Sequence, residues 1–230
     1  IWFCLVGSEM CIRDSSNGVD DIPDDKKPDH ARVGEAVYRT AKELQGYISK
    51  LEEIRVPVIA AVHGGVIGGA LDLITACDMR FASNDAFFCI QEINIGMAAD
   101  VGTLQRLPKI IPDSKMREMA YTGRRMLADE AKDSGLVGEV YETQDEMLDA
   151  VHKLAAEIAS KSPVAIYGLK AVMNYSRDHN VSDSLDFNAL WSGAMLSQAD
   201  MTEAMTAQME KRDASFDKMV DVKKFNESKS

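Results

Sequence analysis

Histidine and cysteine are scarce in these 230 residues, with four of each. Cys4, Cys11, Cys77 and Cys89 form no CxxC pair, so neither a zinc site nor a disulfide framework is indicated, and a reducing compartment is expected. His30, His63, His152 and His179 are scattered without a carboxylate or thiol at ligand spacing, which argues against a bound metal; His63 reads as a strand-end residue. Basic charge is also short. Lys and Arg number 26 against 37 Asp and Glu, a net charge of −11, the wrong sign for counterion release at phosphates, so no nucleic-acid partner is expected. No run approaches the roughly 20 apolar residues of a membrane span. The GxGxxG, P-loop and G-x-S-x-G patterns are all missing, which removes the usual signatures of dinucleotide binding, NTP binding and serine hydrolysis. What remains is 46% hydrophobic and 27% charged, a balance that allows a buried core.

Residues 1–15, IWFCLVGSEMCIRDS, hold two of the four cysteines and one of the two tryptophans and show neither a helical nor a strand period. LVGSEMCIRDS resembles the conceptual translation of a sequencing-library adapter, so this stretch is expected to be non-native and to stand outside the fold. A charged, Pro-containing loop, DDIPDDKKPD, comes next. Val33, Val37, Ala41, Leu44, Ile48 and Leu51 then recur at three and four, predicting an amphipathic helix that ends before Pro57. The spacing predicts a strand over VIAAV, a turn at His63-Gly64-Gly65, and a helix from there to about Cys77. Two short strands are expected at residues 79–82 and 86–90, and a helix over residues 99–107 closed by Pro108. A helix capped by Asp113 should stop at Gly123, a short one should cover residues 128–134, and a last strand residues 137–141. From Gln144 the pattern is helical, with Pro163 able to open one helix and Ser182 to cap another. Leu185, Leu190, Trp191, Met195, Leu196, Met201, Met205 and Met209 exceed what terminal helices should expose, which suits a subunit interface.

The chemistry-bearing residues cluster in the middle. In HGGVIGGALD the turn around Gly68 and Gly69 offers a helix start with bare backbone N–H groups, an oxyanion-binding device, although close strand-to-helix packing explains the same glycines. Three carboxylates follow: Asp72 in the first turns of that helix, Glu92 20 residues on, after the strand FFCI, and Asp100 a further 8 along, at the expected start of the next helix. Each has a plainer reading, as a charge near a positive helix end, a solvated strand end and an N-cap. Ile90, Ile93, Ile95, Met97, Ala98 and Ala99 make the segment around Glu92 and Asp100 apolar, where carboxylate pKa values would rise toward neutrality. Arg124, Arg125 and Lys170 read as solvated charges or as contacts for a phosphate-bearing ligand.

These residues carry a resemblance. PVIAAVHGGVIGGALDLITACDMRFAS, the later GLVGEV and the helix ending in KSP resemble the crotonase (enoyl-CoA hydratase/isomerase) superfamily, over a match from about Ser16 to Met209. DAFFCIQEINIGMAADVGTLQRLPKII is similar to the members that convert a 3,5-dienoyl-CoA into its 2,4 isomer. Generic hydratases usually carry a glutamate where Asp72 stands and no carboxylate where Asp100 stands.

The resemblance implies an α/β fold: a crotonase-like ββα spiral core over residues 16–143, lacking its N-terminal part, and a helical trimerisation region over residues 144–230. It implies an acyl-CoA thioester held by two backbone N–H groups, from Gly69 and from the residue before the glycine of Ser16-Asn17-Gly18-Val19-Asp20, which is Asn17. Glu92 is then expected to act at C2 and Asp100 at C6, with Asp72 in a supporting role. No metal, flavin or nicotinamide is implied, and a homotrimer or homohexamer is. A full-length parent is the expected active form. The resemblance implies a mitochondrial or peroxisomal enzyme if the source is eukaryotic and a cytoplasmic one otherwise; Ser228-Lys229-Ser230 only loosely resembles a peroxisomal SKL address. The rivals are an enoyl-CoA hydratase, with Asp72 and Glu92 activating water, and a non-catalytic binding protein of the same fold.

Overall fold

The structure, a computed structural model, describes residues 2–6 and 29–221. The described residues divide into two compact units, one holding residues 3–6, 29–54 and 58–149, the other residues 2, 55–57 and 150–221.

The first unit holds two sheets. One runs β1 (Trp2–Val6), β2 (Val58–Val62), β4 (Met79–Ser83), β7 (Val140–Tyr141); the other runs β3 (Gly65–Ile67), β5 (Phe87–Cys89), β6 (Met126–Leu127). β2 and β4 pair in parallel from Ile59 opposite Met79 to Val62 opposite Ala82, and β3 pairs in parallel with β5 from Gly65 opposite Phe87 to Ile67 opposite Cys89. All five residues of β2 are buried, which is why VIAAV is uniformly apolar: a parallel strand covered on both faces has no solvent side. From β2 the chain passes to β3 and then α2 (Gly69–Thr75); from β4 it passes to β5 and then a 3₁₀ turn (Glu92–Ile95) and α3 (Thr103–Arg106). These are successive ββα turns. Between them lie Leu71, Ile74, Phe88, Leu107, Met119 and Met126, each fully buried and each contributing roughly 1.5–3 kcal/mol of hydrophobic stabilisation.

Several expectations are corrected here. Trp2–Val6 does form a strand, neighbour to β2 in the sheet, although residues 1–15 were expected to stand outside the fold. Five apolar residues can add to an open sheet edge without any alternation of their own. Residues 65–67 are a strand rather than the start of a helix, and β6 was not foreseen. The helix expected over residues 99–107 starts only at Thr103 and gives way to a 3₁₀ turn at Leu107–Lys109. Pro112, not Asp113, is the N-cap of α4 (Asp113–Thr122), which ends at Gly123 as expected. The long helix α1 (His30–Glu53) is present, capped by Asp29, but Val37 and Leu44 of its apolar stripe are exposed, and only its C-terminal part, through Leu51, leans on the core.

α5 (Ala128–Ser134) follows the predicted limits, and α6 (Gln144–Ala159) starts at the predicted residue. The second unit is helical: α7 (Pro163–Asp178), α8 (Val181–Met195) and α9 (Gln198–Glu210). Pro163 opens α7 as expected, with Ser162 as its cap; Asn180, not Ser182, caps α8 by accepting from the Asp183 N–H. α7 and α8 meet through aromatic contacts, Tyr167 edge-on to Trp191 at 4.9 Å and Tyr175 stacked on Phe187 at 4.2 Å. Leu185, Leu190, Met205 and Met209 remain exposed.

Candidate active site

The parallel pair β3/β5 builds the site. Gly68 stands just beyond β3 and donates its N–H to the carbonyl of Cys89 at 3.0 Å, tying the start of α2 to the end of β5. Its φ of 55° and ψ of −120° lie where residues with a Cβ are strained, so the tight entry into α2 depends on glycine. Helical bonding begins only when Leu71 N–H and Asp72 N–H donate to the Gly68 carbonyl, at 2.7 and 3.2 Å. The N–H groups of Gly69 and Ala70 therefore have no intrahelical acceptor. A Cβ placed on Gly69 would meet nothing within 4 Å beyond its chain neighbours and its own helix backbone, so the space on that side of the residue is open.

Asp72, one turn into α2, is 1% exposed and accepts from the buried Thr103 N–H through Oδ1 at 2.5 Å. Burial pushes its carboxyl above the ordinary range; hydrogen bonding from Thr103 works against this, the charge of Asp100 adds to it, and Arg106 draws it back. Glu92 opens the 3₁₀ turn directly after β5, with Gly96 closing the turn at a φ of 78°. Its Oε2 is buried without a hydrogen-bond partner, and burial, with smaller contributions from the Asp72 and Asp100 charges, lifts its pKa. Asp100 lies in the loop before α3, with its side chain exposed. It does not cap a helix: Gly102 occupies the N-cap of α3, and the Asp100 contact to α1 is made by its carbonyl, which accepts from Gln45 Nε2 at 2.7 Å.

Carboxylates separated by 20 and 8 residues in sequence thus come close enough that the charge of Asp100 adds to the rise at Asp72, and the charges of Asp72 and Asp100 add to the rise at Glu92. Such a cluster can hold one acid and one base at the same pH. The apolar wall expected around it is only partly present. Ile90 and Ala99 are buried, whereas Ile93, Ile95 and Met97 are exposed, so the rise at Glu92 comes from its own burial and its neighbours' charge.

Asn17 lies outside the described residues. Arg124 is not a free surface charge, since it pairs with Glu118 and Glu130 at 2.8 and 2.7 Å. Arg125 lies 4.3 Å over the Phe87 ring, and Lys170 is buried, donating to the Val56 carbonyl at 3.1 Å. Sequence reasoning missed Thr103, Gln45 and Arg106. Among the described residues, no group of three or more His, Cys, Asp or Glu side chains is arranged to hold a metal ion, and no helix is long and apolar enough to cross a membrane.

Comparison with known proteins identifies the architecture. The family model described as Enoyl-CoA hydratase/isomerase matches residues 30–219. The mitochondrial Delta(3,5)-Delta(2,4)-dienoyl-CoA isomerase of Mus musculus is 50% identical over 186 residues, 80% of this chain and 57% of that protein. The peroxisomal protein of the same name from Arabidopsis thaliana is 47% identical over 191 residues, 83% of this chain and 69% of that one. Among solved structures, a probable enoyl-CoA hydratase/isomerase from Mycobacterium abscessus superposes with a TM-score of 0.74 at 32% identity, covering 80% of this chain and 72% of its own. The chain spans less than two thirds of the length of the mouse protein. With a matching fold, a family model that spans both units and relatives at half identity, the chain belongs to the enoyl-CoA hydratase/isomerase family, that is, to the crotonase superfamily.

Proposed function

We propose that this protein isomerises a 3,5-dienoyl-CoA to the 2,4-dienoyl-CoA by removing a proton at C2 and delivering one at C6. The observation that carries this reading is the third carboxylate: Asp100 shares an electrostatic environment with Asp72 and Glu92, and a hydratase would have no use for it. The names of the mouse and Arabidopsis relatives support the same substrate class.

The thioester oxygen accepts from the Gly69 N–H and from that of Asn17. Charge that develops on this oxygen as C2 loses its proton is then stabilised by fixed dipoles. Glu92, with its raised pKa, is a stronger base than a solvated glutamate and takes the C2 proton. The electron pair delocalises along the conjugated chain to C6, where Asp100 delivers a proton, and the two double bonds now lie at C2 and C4. No electrons leave the substrate, so the reaction requires no redox cofactor. Glu92 then gives the C2 proton up to water and Asp100, being exposed, takes one from water, so that both carboxyl groups return to their starting state, while Asp72, engaged with Thr103, adds its charge to the rise at Glu92.

Coenzyme A enters only as part of the substrate. The exposed Leu185, Leu190, Met205 and Met209 support assembly of the second unit with further copies, as a trimer or a dimer of trimers. The relatives' names support a mitochondrial or peroxisomal setting. Incubation with a 3,5-dienoyl-CoA and, separately, with a 2-enoyl-CoA tests the reading. Turnover of the first without hydration of the second is expected, and the reverse would identify a hydratase.

A further inference from the structure

We propose that Glu52 and Arg106 form a latch that positions the loop between Asp100 and Thr103, and with it both Asp100 and Asp72. The inference rests on the roles assigned to those two carboxylates above.

α1 has no fully buried side chain, so packing alone gives it little hold on the core. What it does present is a polar stripe, Gln45, Ser49 and Glu52, spaced at four and three and therefore on one face of the helix. All three reach the same short segment. Gln45 Nε2 donates to the Asp100 carbonyl at 2.7 Å. Arg106 Nη2 donates to Ser49 Oγ at 2.9 Å and to Glu52 Oε2 at 2.7 Å, while Arg106 Nε donates to Glu52 Oε1 at 3.1 Å. The Arg106–Glu52 pair is therefore bidentate, and its side chains are only 12% and 14% exposed, a setting in which such pairs are directional and weakly screened.

Between the two anchors stands Gly102. Its φ of 141° is closed to other residues, and a Cβ there would collide with the Arg106 guanidinium. The guanidinium thus lies against bare backbone. Arg106 N–H also donates to the Gly102 carbonyl at 3.0 Å, so side chain and main chain of one residue hold the same turn. The next residue, Thr103, supplies the N–H that fixes Asp72. One segment tethered at both ends thereby sets the carbonyl of one carboxylate residue and the hydrogen-bond donor of another. Chemistry that depends on placement loses up to roughly 10²-fold when a group moves by about 1 Å.

The test compares Glu52→Gln with Glu52→Asp, which keeps the charge, in the full chain. Two readouts are taken: amide hydrogen exchange at Thr103, and, with 3,5-dienoyl-CoA in deuterated water, product formation against C2 exchange. Glu52→Gln should speed Thr103 exchange at least tenfold while the amides of α4 keep their protection. It should lower kcat for product about tenfold with KM within twofold, and C2 exchange, which does not need Asp100, should fall less. Glu52→Asp should recover part of each effect. Unchanged Thr103 exchange would overturn the latch, and so would acceleration spread equally over α4, which signals general loosening. If Glu52→Gln fails to fold, Arg106→Lys, which keeps the charge but loses the two-pronged bond to Glu52, is measured in the same way and decides by the same criteria. A wild-type chain that binds but does not isomerise the dienoyl-CoA counts against the proposed reaction alone, because the exchange measurement still decides the latch.

Discussion

Replacing Asp100 by asparagine removes one titratable oxygen and leaves the shape of the side chain intact. Its structural cost can be worked out from its surroundings. The side chain is exposed, it caps no helix, and the bond from Gln45 is made to the main-chain carbonyl, which the substitution does not touch. Stability should therefore change by no more than about 0.5 kcal/mol, or roughly 1–2 °C in Tm for a chain of this size. The chemical cost is of another order: loss of a positioned proton donor lowers turnover by roughly 10² to 10⁴, equivalent to about 2.7–5.4 kcal/mol in the barrier. The assay is conversion of 3,5-dienoyl-CoA in the full-length protein, with C2 deuterium exchange followed in parallel. Exchange should persist while product is lost, because Glu92 can still remove the C2 proton and the N–H of Gly69 still receives the thioester oxygen. Turnover near the wild-type level would refute the role given to Asp100. Loss of exchange together with product would mean that Glu92 and Asp100 work in the opposite order.

Glu92→Gln should raise Tm at pH 7 and change it little at pH 4. The pKa of Glu92 is raised on folding, so the native state holds the proton more tightly and stability falls as pH rises from about 4.3 through the raised value; equal Tm differences at both pH values would contradict this. Asp72→Ala should cost about 1–3 kcal/mol in urea denaturation, because the buried Thr103 N–H loses its acceptor, whereas Asp72→Asn keeps an acceptor and should cost less. Sedimentation should find a trimer or hexamer at micromolar concentration, and a stable monomer would remove the exposed methionines and leucines of α8 and α9 as an interface.

How far the sequence could be read depends on whether a feature is local. β2 and α5 follow their predicted limits because an uninterrupted apolar run and a flanking glycine are written into a few consecutive residues. β3 and β6, of three and two residues, carry no period of their own and exist because β5 is there to pair with. The helix expected from residue 99 begins at Thr103 because Gly102 takes a φ no helix allows and because Asp72, 31 residues earlier, captures the Thr103 N–H. Alanines 98 and 99 gave no hint of this. The three carboxylates and Gly69 could be singled out as candidates, since acids and a glycine turn are visible residue by residue, but their spacing alone fitted plainer readings and their roles came from the resemblance. Arg106 and its partners were not, although Gln45, Ser49 and Glu52 on one helix face formed a visible polar stripe beside the apolar one.

The pairing of β3 with β5 has a consequence for how this chain can change in length. Gly69 stands two residues past Ile67 and Glu92 three past Cys89, and Ile67 and Cys89 are register partners. In the proposed mechanism the two strands act as a ruler between thioester and base, graduated at about 3.3 Å per residue. An insertion or deletion in the turn between β4 and β5 can be absorbed outside the ladder without moving either mark. The same change within residues 65–69 or 87–92 shifts one mark by a whole graduation, and carries a base out of reach of the carbon it must deprotonate. Length variation compatible with this reaction is thereby directed into the turns at the opposite end of the ruler.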